Sequence, residues 1–140
     1  MAQINPHINF NGNAEEAFTF YKSVFGGDFT KLIRFKDIAN EHFQVSETDA
    51  NKIMHIALPI GQSFLMANDV PEFMGKTNEN ENRSKIFINA DSYEEAVKLY
   101  KGLTVDAQIE VPISEDPLEP CYGMFRDKYG LEWIINFEEN

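Results

Sequence analysis

From Ile4 to Phe10 the chain alternates, with Ile4, Ile8 and Phe10 on one side and His7 and Asn9 on the other. That period of two predicts a strand. The period then changes. Ala17, Phe18, Tyr21, Val24 and Phe25 recur at helical spacing, with Asn13 as a candidate N-cap and Glu15 and Glu16 in the first turn, where the helix dipole favours anions. Gly26 and Gly27 mark the helix end. Phe29 to Phe35 reads as a second strand, and Ile53 to Ile60 with Ser63 to Asn68 as a hairpin turning near Gly61.

The same order returns further along. Lys85 to Ala90 is a strand; Asp91 or Ser92 caps a helix running to about Lys101; Gln108 to Ile113 is a strand. Tyr122 to Asp127 and Leu131 to Phe137 close a hairpin through Asp127-Lys128-Tyr129-Gly130, where Gly130 suits a positive φ. The sequence itself repeats. Asn11 to Lys22 is echoed by Asn89 to Lys101 with Ser92 inserted, and His7-Ile8-Asn9-Phe10 aligns with Lys85-Ile86-Phe87-Ile88. One supersecondary unit used twice is predicted. The reading is an α+β chain of two βαβββ modules, about 1–72 and 83–140, joined by a polar linker 73–82 within one domain. Thr77 to Ser84 has no periodicity and reads as a mobile linker or lid; Phe73 and Met74 read as lid anchors or as packing residues.

Composition narrows the partners. A chain of 140 residues with 43% hydrophobic content and 12 Phe can bury a core. Its net charge of −11 speaks against nucleic acid and anionic membranes, which need basic patches. No apolar run approaches the roughly 18 residues of a membrane span. The start, Met1-Ala2-Gln3-Ile4-Asn5-Pro6, lacks signal-peptide features, and the single Cys121 cannot form an internal disulfide. A cytoplasmic location is the expectation.

Strand parity supplies the candidate site. Trp133, Ile135 and Phe137 share a face suited to packing on a helix, whereas Glu132, Ile134 and Asn136 share the other. His7 and Asn9, and Lys85, Phe87 and Asn89, fall on the corresponding faces of their strands. His55 can face either way, since its strand is apolar on both sides. His42 lies in a polar stretch and reads as solvated. Cys121 has no neighbouring base in sequence, and Ser63, Ser92 and Ser114 lack a nucleophile-elbow motif.

The double βαβββ order, the His on the first strand and the Asp127-x-x-Gly130 hairpin resemble the vicinal-oxygen-chelate superfamily of glyoxalase I, bleomycin-resistance proteins and extradiol dioxygenases. The segments Asn11 to Phe18, Lys52 to Leu58, Phe64 to Asp69 and Tyr122 to Trp133 resemble its PhnB-like branch, often labelled 3-demethylubiquinone-9 3-methyltransferase-like. The resemblance implies curved mixed sheets around a cavity, helices outside, and a homodimer.

It also implies four metal-ligand positions on the first and last strands of each module. Here they read His7, Leu65 or Met66, Lys85 and Ile134. A Lys ammonium is a donor only, and Ile134 has no donor atom, so no metal or other cofactor is expected. A divalent ion, if held at all, would use His7 with His55 or Glu132.

The expected function is binding of a small organic molecule, anionic or neutral. The cavity candidates are His7, Asn9, His55, Met66, Lys85, Tyr122, Glu132 and Ile134. Lys85 beside His7 either holds a carboxylate or phosphonate or reaches out to solvent. The alternative is a metal-dependent or acid/base lyase, isomerase or dioxygenase-type enzyme, with His7 and Glu132 as an acid/base pair. The methyltransferase label finds no support: Asn11-Gly12-Asn13 holds one glycine, and no parallel βαβ series follows it.

Overall fold

The computed structural model describes residues 2–40, 44–117 and 121–138. His42 lies outside the described residues, as does the end of the loop before Cys121. The contacts divide the chain into two compact units, Met1–Asn78 and Glu79–Asn140.

The first unit runs β1 (His7–Phe10), α1 (Ala14–Phe25), β2 (Lys31–Arg34), a one-turn α2 (Phe35–Ile38), β3 (Ile53–Ile60) and β4 (Ser63–Asp69). Its sheet has the order β1-β4-β3-β2, with β1 parallel to β4 and the other pairs antiparallel. The second unit repeats this as β5 (Ile86–Asn89), α3 (Tyr93–Leu103), β6 (Gln108–Val111), β7 (Cys121–Arg126) and β8 (Glu132–Phe137). Its order is β5-β8-β7-β6, again with one parallel pair, β5 with β8. The sequence repeat is therefore a topological repeat.

Each helix covers one face of its sheet. Phe18 and Tyr21 of α1 are fully buried; Phe18 meets Phe10 edge-on at 6.1 Å and Tyr21 at 5.6 Å. Such pairs add about 0.5–1.5 kcal/mol each beyond area burial. Leu58, Leu65, Ile56 and Ala67 line this face from β3 and β4. In the second unit Trp133 and Ile135 are fully buried, and Tyr100 of α3 meets Phe125 edge-on at 5.6 Å. Gly123 lets that ring pack close to the sheet. A Cβ on it would lie 3.1 Å from the Tyr100 ring. Phe137, expected in the core, is only half-buried because it ends its strand.

Two buried carboxylates fasten the turns. Asp127 accepts from Tyr129 N (2.8 Å), Leu131 N (3.1 Å) and the Trp133 indole N–H (2.8 Å). The Asp127-x-x-Gly130 motif thus closes the hairpin and orients the core tryptophan, with Gly130 at φ 93. In the first unit Asp69 accepts from Gly12 N (3.1 Å), Ala14 N (2.9 Å) and Ile53 N (2.8 Å). Asp69, rather than Asn13, satisfies the start of α1. The Asn13 side chain makes no cap bond, and its Oδ1 is buried without a hydrogen-bond partner. In α3 the expected cap does form, with Ser92 Oγ accepting from Glu95 N at 3.0 Å.

Three expectations need correction. The first strand starts at His7, not Ile4, and Ile4 is 94% exposed. Pro6 interrupts the pattern: its carbonyl accepts Met66 N at 3.0 Å, but it has no N–H to continue the ladder. The second strand is only Lys31–Arg34, since Phe35 opens α2, where Asp37 Oδ2 accepts from Arg34 N at 2.9 Å. Phe73 and Met74 sit on a 3-10 turn, Glu72–Met74, and are 82% and 66% exposed rather than packed.

Candidate functional site

The helix-free face of each sheet gathers the candidate side chains of its unit. In the first unit the register pairs His7 with Met66 and Asn9 with Asn68, and Ala57 with Met66. Lys31 opposes Ala57 and Ile33 opposes His55 across β2 and β3. His55 therefore faces the same side as His7, which its strand alone could not decide. Their rings lie 6.2 Å apart at 23°. Burial, then the nearby His7 and Lys31, push the His55 imidazole below its ordinary pKa, so its neutral form is favoured.

In the second unit the register Ile86 with Trp133 and Phe87 with Ile134 sets Lys85 across from Glu132. Lys85 Nζ is 2.9 Å from Glu132 Oε2, and Glu110 Oε2 lies 3.9 Å from the same ammonium. Directly opposite Glu132 on β7 stands Arg126, which donates to Glu132 Oε1 at 3.0 Å. Glu132 is buried, so its carboxylate sits between two cations with little water. Arg126 also donates to the carbonyls of Gly130 (2.7 Å), Glu79 (3.2 Å), Asn80 (3.3 Å) and Glu81 (3.2 Å). On the other side of the connecting segment, the Asn11 amide donates to Thr77 O and accepts from Thr77 N, at 2.9 and 2.8 Å. Tyr122, Met124 and Ile134 share the face with Lys85 and Glu132 through the pairs Tyr122–Asn136 and Met124–Ile134.

Register also corrects the repeat equivalence. His7 pairs with Met66, and its repeat partner Lys85 pairs with Glu132. Glu132, two residues before Ile134, is thus the counterpart of Met66. Counting from the hairpin glycine misplaces it. The four equivalent positions are His7, Met66, Lys85 and Glu132.

A divalent ion fits neither pair. Both Glu132 oxygens already accept from cations, and the Lys85 ammonium has no lone pair to give. Met66 offers only a soft thioether. Among the described residues, no three His, Cys, Asp or Glu side chains come together in a way that could hold a metal.

Three further residues matter that sequence reasoning passed over. Arg126 stood in view within the hairpin motif, six residues before Glu132, the spacing that makes two residues oppose across a five-residue connection. Lys31 was legible from parity once the strand was trimmed. Asp69 had no local signal, since its partners at Gly12 and Ala14 are 57 and 55 residues away. Cys121 begins β7 and is buried, and burial pushes its thiol pKa up, which opposes a nucleophilic role.

Residues 2–136 match the family model described as 3-demethylubiquinone-9 3-methyltransferase. The chain belongs to this family. The crystal structure of protein PA1353 from Pseudomonas aeruginosa is 31% identical, with both chains fully covered and a TM-score of 0.83. A putative 3-demethylubiquinone-9 3-methyltransferase, the PhnB protein from Bacillus cereus, is 21% identical over 98% of this chain and 100% of that one, with a TM-score of 0.72. The genomically encoded fosfomycin resistance protein FosX from Listeria monocytogenes shares the fold at 8% identity, covering 96% and 91% of the two chains with a TM-score of 0.63. The chain thus has the fold of the glyoxalase and bleomycin-resistance proteins within a PhnB-like family.

The strand–turn–helix at Asn11-Gly12-Asn13, the place a methyl-donor site would need, is otherwise engaged. Gly12 N and Ala14 N both donate to Asp69, and each sheet holds a single parallel pair rather than a doubly wound series.

Proposed function

We propose that this PhnB-like protein binds a small organic molecule on the helix-free faces of its sheets, without a metal. The observation that carries the reading is the grouping of His7, Asn9, His55 and Met66 on one helix-free face. Imidazole, amide and thioether groups there combine polar donors with apolar, polarisable surface. Lys85, Tyr122, Glu132 and Ile134 supply the corresponding face of the second unit.

The metal-free part of the proposal rests on donor chemistry. Lys85 and Arg126 each engage one carboxylate oxygen of Glu132. The same pairing weakens the acid/base alternative, because both Glu132 oxygens are already engaged by Lys85 and Arg126. Methyl transfer is not part of the proposal, for the reason given by Asp69.

A homodimer in the cytoplasm belongs to the same reading. Among the described residues no helix is long and apolar enough to cross a membrane. Light scattering on the eluting protein tests the pairing. A thermal-shift screen of metabolites on tag-free protein, followed by a ligand-soaked crystal structure, tests the binding. Density for a hit on either helix-free face supports the proposal; saturable binding located elsewhere contradicts it.

A further inference from the structure

We infer that the helix-free face of the first unit is the anion-holding part of the binding site. It would take the carboxylate or phosphonate of a small organic acid against Lys31, His7 and His55. The inference rests on the small-molecule reading above and moves the ligand's charge away from Lys85.

Charge pairing makes the case. The chain carries a net −11, yet the four strands place Lys31, His7 and His55 on this face with no Asp or Glu beside them. Five other cations are already paired. Lys22 pairs with Asp28, Arg34 with Glu15, Lys52 with Asp49, Lys85 with Glu132, and Arg126 with Glu132. Lys31 forms no ion pair among the described residues, and its charge is felt at His55. Lys85, by contrast, has Glu132 at 2.9 Å and Glu110 at 3.9 Å, so an incoming anion meets two carboxylates there.

The donors suit an oxyanion. A Lys ammonium offers three N–H groups and a neutral imidazole one, so the face can bind an anion without imidazole protonation. Hydrogen bonds to a charged partner are roughly twice as strong as neutral ones. The amides of Asn9 and Asn68 flank the imidazoles, and Phe64 and Met66 give the organic part an apolar floor. Ala57, opposite Lys31, keeps the centre of the sheet low.

Nuclear magnetic resonance on the whole chain tests this, with phenylphosphonate, phenylacetate and its neutral match phenylacetamide as probes. The imidazole signals of His7 and His55 are expected to shift saturably with both acids and little with the amide. Lys31→Gln should weaken acid binding about tenfold, the scale of one charge-assisted contact. Lys98→Gln, an exposed charge on α3, should leave it unchanged. Equal binding of phenylacetamide and phenylacetate at the same histidines would overturn the anionic assignment and leave the small-molecule reading standing. Acid-induced shifts centred on Lys85 instead would also overturn it. Shifts absent from both units with all three probes count against the assignment and the wider reading together.

Discussion

Lys85 and Glu132 face each other across the parallel β5–β8 ladder with ammonium and carboxylate 2.9 Å apart, and Arg126 holds the other carboxylate oxygen at 3.0 Å. The two cations are not equivalent. Arg126 is largely buried and also binds the carbonyls of residues 79–81, whereas Lys85 is partly exposed. Arg126→Met should therefore cost about 3 kcal/mol and Lys85→Met about 1 kcal/mol, the larger value reflecting a buried charge and carbonyls left unpaired. Urea melts check the ranking. Equal losses would show that the arginine's extra bonds carry no weight.

Trp133 is the centre of the second unit's core and is tied to Asp127 through its indole N–H. Trp133→Ala is expected to lower stability by about 3–5 kcal/mol. Trp133→Phe keeps most of the volume but removes the indole hydrogen bond to Asp127, and should cost about 1–2 kcal/mol. A loss below about 1 kcal/mol for the alanine variant would mean that the helix-packed face has been assigned the wrong way round.

The start of α1 offers a sharper contrast. Asp69→Ala removes the acceptor of three backbone donors and should cost about 3–5 kcal/mol. Asn13→Ala, at the formal cap, should cost less than about 0.5 kcal/mol because its side chain caps nothing. Ser92→Ala, at a cap that is formed, should cost about 1 kcal/mol. Thermal unfolding of the three variants decides; a loss for Asn13→Ala equal to that for Ser92→Ala would contradict the capping assignment.

His55 gives a pH dependence with a definite sign. Its folded pKa lies below the ordinary 6.5, so the unfolded chain binds its proton more readily. Its contribution to stability is present above about pH 6.5 and is lost as pH falls through the lower folded value. The stability difference between wild type and His55→Gln should narrow or reverse in the wild type's disfavour on going from pH 7.5 to about pH 5. A difference independent of pH would show that the imidazole is as easily protonated folded as unfolded.

Much of the fold could be read before the structure because the repeat constrains both halves at once. Identical sheet orders follow once the motif from Asn11 to Lys22 is seen again from Asn89 to Lys101. Element ends were harder. Ile4 fits the alternation perfectly well, but Pro6 cannot donate into the ladder, and Phe35 fits a strand but is drawn into a turn by Asp37. Face assignments held wherever a strand alternates, as from Glu132 to Asn136, and were ambiguous at His55, where apolar residues lie on both sides. Long-range partners left no trace in local pattern. Asn13 has the right chemistry for a cap, yet the carboxylate of Asp69 arrives from the end of the neighbouring strand β4, 55 residues along the chain from Ala14, and takes the place. The shift from Ile134 to Glu132 has a similar origin, since register is set by the β5–β8 ladder and not by distance from Gly130.

The central claim is that neither His7 with Met66 nor Lys85 with Glu132 holds a metal ion. Calorimetric titration of tag-free protein with Ni²⁺, Zn²⁺ and Fe²⁺ measures it. The prediction is no micromolar binding that depends on His7, because Glu132 is held by Lys85 and Arg126. Micromolar or tighter binding of any of these ions, abolished by His7→Ala, would contradict the account and return a metal-dependent enzyme to first place.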